Sequence, residues 1–416
     1  MSARGQKQGT QPSAQRTSPN RGGKAPVANP RGVPPPPPPP PPPQQPPVNP
    51  PQRPAVQQRP KTPPENSIGI GIETEFYLAS RQNETHQSLR LFAKAMVEKY
   101  HAEIGPSSRL PKMHSLVGDL YRGPHGMRHT EWALHHDPTC ETTNSPWGIE
   151  LVSPILTAYK GGEVWRESVS QMWRFLSLRY GVTADASCST HVHLSLARGF
   201  SLTQLKRLAQ AVIYFECAVE ALMPPDRRGN EYARSNWIDN KHLAYKNLNR
   251  DQSMLAIEAC KSQEEVIALM NPDKSKYFGV NFLALERYKT VEFRRGAAST
   301  KLNDVFMWVE FAMTFLQASI QLPSKNDFSR FQPTVGGLRN FFDNAHLVED
   351  PGMNQRKYLD LLFHGHASNQ RAEPIPVKLE TLSKEKKAKL SKKIEADKQS
   401  NPMLDKIGDA TREGIL

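Results

Sequence analysis

Apolar and polar side chains alternate along the segment 68–78, which is rich in β-branched residues and therefore predicted to be a β-strand. Because successive strand side chains point to opposite faces, Glu73 and Glu75 share one face, about 7 Å apart at a rise of about 3.3 Å per residue. Two carboxylates on one face repel each other unless a cation or proton lies between them, although a water-exposed face would also accommodate them. The other face requires a core behind it: Ile70, Ile72, Thr74, Phe76 and Leu78.

Similar alternation recurs along the chain, and each segment has one apolar and one polar face. The predicted strands are 130–137, 147–154, 187–196, 277–285 and 290–295. Pro154 should end the second of these, because proline cannot donate to a strand ladder. If the strands share one sheet, their polar residues line a common surface: Glu150, His191, His193, Glu292 and Arg294.

Apolar residues at helical spacing predict helices that cover the apolar face of this sheet. The predicted helices are 87–100, 162–180, 201–223 and 303–321. Ser201 and Gln204 match a capping box, and Gly181 is a candidate C-cap of the preceding helix. The lysine-rich segment 380–398 has few apolar positions, which predicts an exposed helix or a frayed tail. The pattern as a whole predicts an α+β domain with an antiparallel sheet and helices on its outer face.

The first 66 residues differ in composition from the rest of the chain. They are rich in proline, with an unbroken proline run at 34–43, and they have almost no large apolar side chains, so they are predicted to be disordered. The run could bind an SH3-type partner or act as a spacer. The predicted organisation is a basic proline-rich tail at 1–66, the α+β domain at 67–345 and a C-terminal extension at 346–416.

Charge, hydropathy and cysteine spacing exclude several classes of protein. The tail holds nine Lys or Arg and one Glu, so +8 of the formal net charge of +13 lies outside the predicted domain, and nucleic acid is not an expected partner. No apolar run reaches the roughly 18–20 residues needed to span a bilayer, and the N-terminus has no signal-peptide core. The four cysteines form no Cys-x-x-Cys pair, which argues against disulfides and zinc knuckles. We therefore expect an intracellular, cytoplasmic protein.

Carboxylates, imidazoles and a guanidinium on one face indicate a particular chemistry. Oxygen-rich sites with a few imidazoles suit Mg²⁺ or Mn²⁺ better than structural zinc. A divalent ion facing carboxylates beside an arginine is typical of phosphoryl transfer. The chain has no Gly-x-x-x-x-Gly-Lys-Ser/Thr motif, which excludes a P-loop ATPase.

Four short motifs occur in order: Gly-Ile-Glu-Thr-Glu at 71–75, Glu-Leu-Val-Ser-Pro at 150–154, Thr-His-Val-His at 190–193 and Val-Glu-Phe-Arg at 291–294. Together they resemble the amidoligase enzyme family, of the glutamine synthetase and glutamate–cysteine ligase superfamily, over about residues 68–321. The resemblance implies a curved antiparallel sheet of the glutamine synthetase and guanido kinase type. It also implies ATP-dependent joining of a carboxylate to an amine through an acyl phosphate, with divalent ions.

The resemblance also implies roles for individual residues. The metal ligands would be Glu73, Glu75, Glu150, His191 and Glu292. ATP and its phosphates would contact His193, Arg294, Tyr277 and Asn281, while Asp137, Arg227 and Asn230 would bind substrates. The catalytic groups would be Arg294, His193 and Glu75. The chain departs from the family at Ser189, where the family usually has glycine.

Two other classes of function are compatible with the same residues. A metal-dependent hydrolase could use these carboxylates without ATP, and a catalytically silent adaptor could act through the proline-rich tail. The substrates of a ligase would be a small-molecule or peptide carboxylate and an amine, and their identity depends on loops that one sequence does not decode.

Overall fold

A nine-stranded sheet organises the computed structural model, which describes residues 64–106, 108–118, 128–160, 164–349, 356–399 and 401–412. The path of neighbouring strands is β2-β3-β4-β1-β7-β9-β8, with β5 and β6 also paired to β1. All pairings are antiparallel except that of β2 with β3, so the sheet is mixed rather than purely antiparallel as predicted. The strands are β1 (Ile68–Ser80), β2 (Met113–Ser115), β3 (Trp132–His135), β4 (Trp147–Val152), β5 (Leu156–Ala158), β6 (Tyr180–Thr183), β7 (Ser189–Leu196), β8 (Val280–Asn281) and β9 (Val291–Ala297).

The strand predicted over 277–285 was largely wrong. Within this range the strand is confined to Val280–Asn281, and a short helix, Ala284–Tyr288, follows. The side chain of Asn281 accepts a hydrogen bond from the backbone N–H of Leu283 at 3.0 Å, which turns the chain out of the strand. The predictions at 68–78, 147–154, 187–196 and 290–295 agree with strands β1, β4, β7 and β9.

Helices cover the apolar side of the sheet. The predicted capping box of Ser201 and Gln204 is confirmed, although the predicted helix 201–223 divides at Phe215 into two. Gly181 is not a C-cap, because it lies in strand β6 and pairs with Ala79 of strand β1. The helices are α1 (Leu89–Ile104), α2 (Val164–Arg179), α3 (Leu202–Tyr214), α4 (Glu216–Leu222), α5 (Arg250–Ala259), α6 (Gln263–Met270), α7 (Ala284–Tyr288), α8 (Leu302–Ile320), α9 (Val335–Asp343), α10 (Leu359–Phe363), α11 (Lys384–Gln399) and α12 (Pro402–Arg412).

The main core lies between the sheet and helices α1, α2, α3 and α8. Phe76 of β1 is fully buried and meets Trp173 of α2 edge-on, with ring centroids 5.9 Å apart. Each large apolar side chain removed from water contributes about 1.5–3 kcal/mol, so this layer holds the sheet rigidly. Among the described residues, no helix is both long and apolar enough to cross a membrane.

Helices α11 and α12 lie on the opposite, polar side of the sheet. Met403 and Ile407 of α12 form a small apolar cluster with Ala133 and Val152. The segment 380–398, predicted to be an exposed helix or a frayed tail, is helical over 384–399, and its lysines are exposed with one exception. Lys393 is only 8% exposed. The predicted tail at 1–66 and its SH3-type motif fall almost entirely outside the described residues.

Candidate active site

Strand register brings the predicted polar residues together. Across neighbouring strands, Glu73 pairs with His191, Glu75 with Glu150 and His193 with Glu292. A register shift between Thr190 and Val192 breaks the ladder of β7 with β9 beside these residues. The predicted shared surface therefore exists, and its residues divide into two neighbouring groups.

The first group, which we call the imidazole cluster, consists of Glu73, His193 and Glu292. One ligand atom from each residue lies within 4.8 Å of the others, and all three residues are buried. The Nε2 atom of His193 is 3.6 Å from Glu73 Oε2 and 3.6 Å from Glu292 Oε1. These separations are longer than the donor–acceptor distance of a hydrogen bond. They match the roughly 3.0–3.6 Å between ligands that share one ion at about 2.0–2.2 Å.

The two histidines differ in how their ring nitrogens are satisfied. Among the described residues, neither ring nitrogen of His193 has a hydrogen-bond partner. His191 has two partners, since its Nδ1 lies 3.1 Å from Glu73 Oε2 and its Nε2 lies 2.8 Å from the Ser189 hydroxyl. A buried imidazole without partners costs free energy unless another ligand satisfies it. The ring nitrogens of His193 are therefore available to a further ligand, whereas those of His191 already contact Glu73 and Ser189.

The pKa values of the two carboxylates of the imidazole cluster, and that of the neighbouring His191, are all lowered. Burial raises the pKa of Glu292, but the adjacent Arg294 and the histidines outweigh it and bring the pKa to about 2. Burial likewise opposes ionisation of Glu73, yet His193 and His191 hold the pKa of Glu73 well below its usual value. Burial and then Arg294 lower the pKa of His191 to about 4. Both carboxylates are therefore ionised at neutral pH and available to a cation.

Arg294 lies at the edge of this cluster. Its guanidinium is buried and pairs with Glu292, and its Nε donates to the Tyr232 carbonyl at 3.2 Å. Asn281 donates from its side chain to Glu292 Oε2 at 2.8 Å, so it orients a cluster carboxylate. Tyr277 instead donates its hydroxyl to Asp397 of α11 at 2.6 Å.

The second group, which we call the ammonium cluster, consists of Glu75, Asp137, Glu150 and Lys393. Ligand atoms of the three carboxylates lie within 4.8 Å of one another. The Nζ atom of Lys393 pairs with Asp137 Oδ2 in a contact between two buried side chains. Asp397, one turn later on α11, is 3.5 Å from the same nitrogen. A lysine ammonium is thus the cation of this cluster.

The carboxylates of the ammonium cluster have pKa values shifted in opposite directions. Burial, and then Asp137, raises the pKa of Glu75 well above its usual value. Burial acts in the same direction on Asp137, but Lys393 and two hydrogen bonds from Thr139 outweigh it and lower the pKa of Asp137 far below its usual value. Asp137 therefore carries the charge that Lys393 meets, while Glu75 can hold a proton.

Arg227 and Asn230 follow helix α4. The Arg227 guanidinium is buried, and its hydrogen bonds within the described part of the chain go to the backbone carbonyls of Cys188 at 3.5 Å and Arg294 at 3.3 Å. Its Nε has no partner among the described residues, so donors remain for a ligand. Asn230 accepts from the backbone N–H of Tyr232 at 2.9 Å, a local turn contact that does not link it to either cluster.

Sequence reasoning missed several residues of the site. His135 contacts Glu150 Oε2 through its Nδ1 at 3.0 Å, and Ser189, where the family usually has glycine, donates its hydroxyl to Glu75 Oε2 at 2.8 Å. His135 lies next to Glu150 in strand register, so strand pairing could have found it. Lys393 and Asp397 gave no such signal, because they lie on a helix of many exposed lysines far along the chain.

The four cysteines are free and buried. None of the curated proteins compared with the chain matches it. A model of the family described as "Putative amidoligase enzyme" matches residues 67–316, which include every predicted site residue and both clusters except Lys393. The chain therefore belongs to the amidoligase family.

Proposed function

We propose that the protein is an ATP-dependent carboxylate–amine ligase that works through an acyl phosphate and a divalent ion. The observation that carries this proposal is the imidazole cluster. Two ionised carboxylates and an unpartnered imidazole there have the spacing of a metal-binding triad beside a buried arginine. Membership of the amidoligase family supports amide-bond formation as the reaction.

Glu73, His193 and Glu292 are the residues that would hold Mg²⁺ or Mn²⁺. When bound, the ion would offset the charge of the ATP phosphates. His191 keeps Glu73 in place through their 3.1 Å contact, and Asn281 does the same for Glu292. The donor set of two carboxylates and one imidazole suits these ions.

Arg294 and Arg227 would act on the phosphoryl group and the carboxylate substrate. The terminal phosphoryl of ATP passes to a carboxylate oxygen and ADP leaves. Amine nitrogen then attacks the acyl carbon and phosphate leaves. Both guanidiniums are buried, where a fixed positive charge stabilises developing negative charge more strongly than in water. Arg227 has spare donors for this task.

Glu75 would accept the proton that the amine loses. Burial, and then Asp137, raises the pKa of Glu75, so its carboxylate is a stronger base than that of an exposed glutamate. Glu75 belongs to the same strand as Glu73, so the proton acceptor and the metal-binding group are held by one rigid element.

The test is a scan of amino acids and amines for ADP release by the purified full-length protein with Mg²⁺ and ATP. We expect release that requires both a carboxylate and an amine, and that is lost in Glu73→Gln and in Arg294→Ala. Glu141→Gln, which changes an exposed carboxylate away from the cluster, should retain it. Turnover without ATP would favour a hydrolase. No Mg²⁺·ATP binding and no turnover with any pair would favour an adaptor, and either result contradicts the proposal.

A further inference from the structure

Helix α11 places one lysine among the carboxylates of the active site. Lys393 lies 256 residues after Asp137 in the chain, yet their charged groups are in direct contact. Asp137 is fully buried and Lys393 is 8% exposed. The neighbouring Lys392 is more than half exposed and pairs with the surface residue Glu141. Only one position of this helix thus delivers its ammonium to the site.

The contacts of α11 are mostly electrostatic. Its two large apolar side chains, Leu390 and Ile394, are only half-buried, and Lys393 is its one buried residue. Asp397 pairs with Lys276 at 2.8 Å and accepts the Tyr277 hydroxyl. The Lys393–Asp137 pair is buried, so breaking it without a replacement is costly, but a second ammonium at the same carboxylates would replace it and let α11 detach at small net cost.

Helix α12 is attached differently. Met403 packs against Gly71 so closely that a Cβ atom at Gly71 would lie 2.4 Å from the Met403 sulfur. Lys406 is buried and donates to the carbonyls of Val152 at 3.2 Å and Ser153 at 2.8 Å. These apolar and backbone contacts attach α12 to the sheet without involving α11.

Three carboxylates suit an ammonium group as a ligand. An ammonium has three donors, and Glu75, Asp137 and Glu150 converge on the space where the Lys393 nitrogen lies. The Lys393 stem reaches the carboxylates from the helix side and is itself buried, so the path accepts a four-carbon chain. The adjoining imidazole cluster lies on the same sheet face, two residues along β1.

We propose that Glu75, Asp137 and Glu150 form the acceptor subsite for a primary alkylammonium of the lysine side-chain class, and that Lys393 occupies this subsite in the closed state. Because it names the acceptor of the proposed ligase, this inference rests on the proposed function. An incoming lysine-type amine displaces Lys393 and releases α11, while α12 stays attached. Detachment of α11 would then expose the ammonium cluster, so binding of the acceptor amine and opening of the site occur together.

The binding test uses full-length wild type, Lys393→Met and the control Lys392→Met. The probe is Nα-acetyl-lysine methylamide, and its uncharged counterpart is Nα-acetyl-norleucine methylamide; both are titrated by calorimetry. If Lys393 fills the subsite at least nine-tenths of the time, its removal strengthens apparent probe binding tenfold or more. We expect this gain in Lys393→Met, wild-type affinity in Lys392→Met, and no binding of the norleucine compound. Equal probe affinity in all three proteins would overturn the inference.

A second measurement does not depend on whether Lys393→Met folds. Hydrogen exchange of wild type with saturating probe should show loss of protection in 384–399 and unchanged protection in 402–412. Unchanged protection of 384–399 with bound probe would overturn the inference.

The same samples separate this inference from the proposed function. Mn²⁺ is titrated into Lys393→Met as well. An additional Mn²⁺ equivalent relative to wild type, without probe binding, would show that Lys393 stands in for a metal and would overturn the acceptor assignment. If wild type binds neither Mn²⁺ nor ATP at the imidazole cluster, the proposed ligase function is contradicted, whether or not the probe binds.

Discussion

The two clusters share one sheet face but obtain their positive charge in different ways. The imidazole cluster is built entirely from neighbouring strands, with the His193 imidazole on β7 and the adjacent Arg294 on β9. The ammonium cluster takes its cation from α11, a helix that adds little apolar contact. The first cluster is therefore a permanent part of the sheet, whereas the charge balance of the second depends on a segment that can leave. This difference separates a fixed chemical centre from an exchangeable substrate position.

The largest effect is expected at the imidazole cluster. Glu292→Gln removes a carboxylate that faces His193 and pairs with Arg294. Loss of a preorganised charge at the phosphoryl site lowers turnover by about a thousandfold. Amine-dependent ADP release measures this, and Glu141→Gln is the matched control. Retention of more than a tenth of the activity would remove Glu292 from the centre.

The next effect concerns the charge pair of the ammonium cluster. Asp137→Asn leaves the Lys393 ammonium buried without its main partner, which costs about 3–5 kcal/mol of unfolding free energy. Urea unfolding measures it, and Lys392→Ala, at a half-exposed pair, should cost less than about 1 kcal/mol.

Because the pKa of Asp137 is lowered in the folded state, its stabilisation is present above the ordinary pKa of aspartate, about 4, and falls as the pH drops below it. In Asp137→Asn the free energy of unfolding should no longer fall in this way at acid pH. If it falls as much as in wild type, Asp137 and Lys393 do not form a charged pair.

A smaller effect tests the attachment of α12. In Gly71→Leu the new side chain would collide with Met403, so amide exchange in 402–412 should accelerate about tenfold. Gly181→Ala is the control, because its added carbon meets only the Ala79 carbonyl at 3.9 Å. Equal exchange in both variants would show that α12 does not depend on the Gly71 contact.

The smallest effect is expected at Ser189. Ser189→Gly restores the residue usual in the family and removes hydrogen bonds to Glu75 and His191. Each buried hydrogen bond contributes about 0.5–1.5 kcal/mol, so thermal stability should fall slightly and turnover should change less than tenfold. A complete loss of turnover would mean that the serine hydroxyl takes part in the chemistry.

The sequence predicted that the three residues of the imidazole cluster share one polar face, because strand alternation is local. Side chains two residues apart on β1, β7 and β9 must share a face, and the apolar partners on the other face fix which one. The predicted strand at 277–285 failed because the Asn281 side chain forms a turn, which a count of apolar residues does not reveal.

The ammonium cluster could be predicted only in part. Glu75 and Glu150 follow from alternation, and Asp137 from the resemblance to the family. Lys393 is one of seven lysines in α11, and nothing local distinguishes it from Lys392. Its burial depends on how a distant helix docks on the sheet, and long-range docking leaves no periodic signal. The C-cap predicted at Gly181 was wrong because the conformation of Gly181 also depends on a distant segment, its pairing with Ala79 of β1.

The central claim is that the imidazole cluster holds a catalytic divalent ion. Titration of Mn²⁺ followed by electron paramagnetic resonance tests it directly, in wild type, Glu73→Gln and the control Glu141→Gln. The account predicts one tightly bound Mn²⁺ in wild type and in the control, with at least tenfold weaker binding in Glu73→Gln. Equal Mn²⁺ binding by all three proteins, or none by wild type, would contradict it.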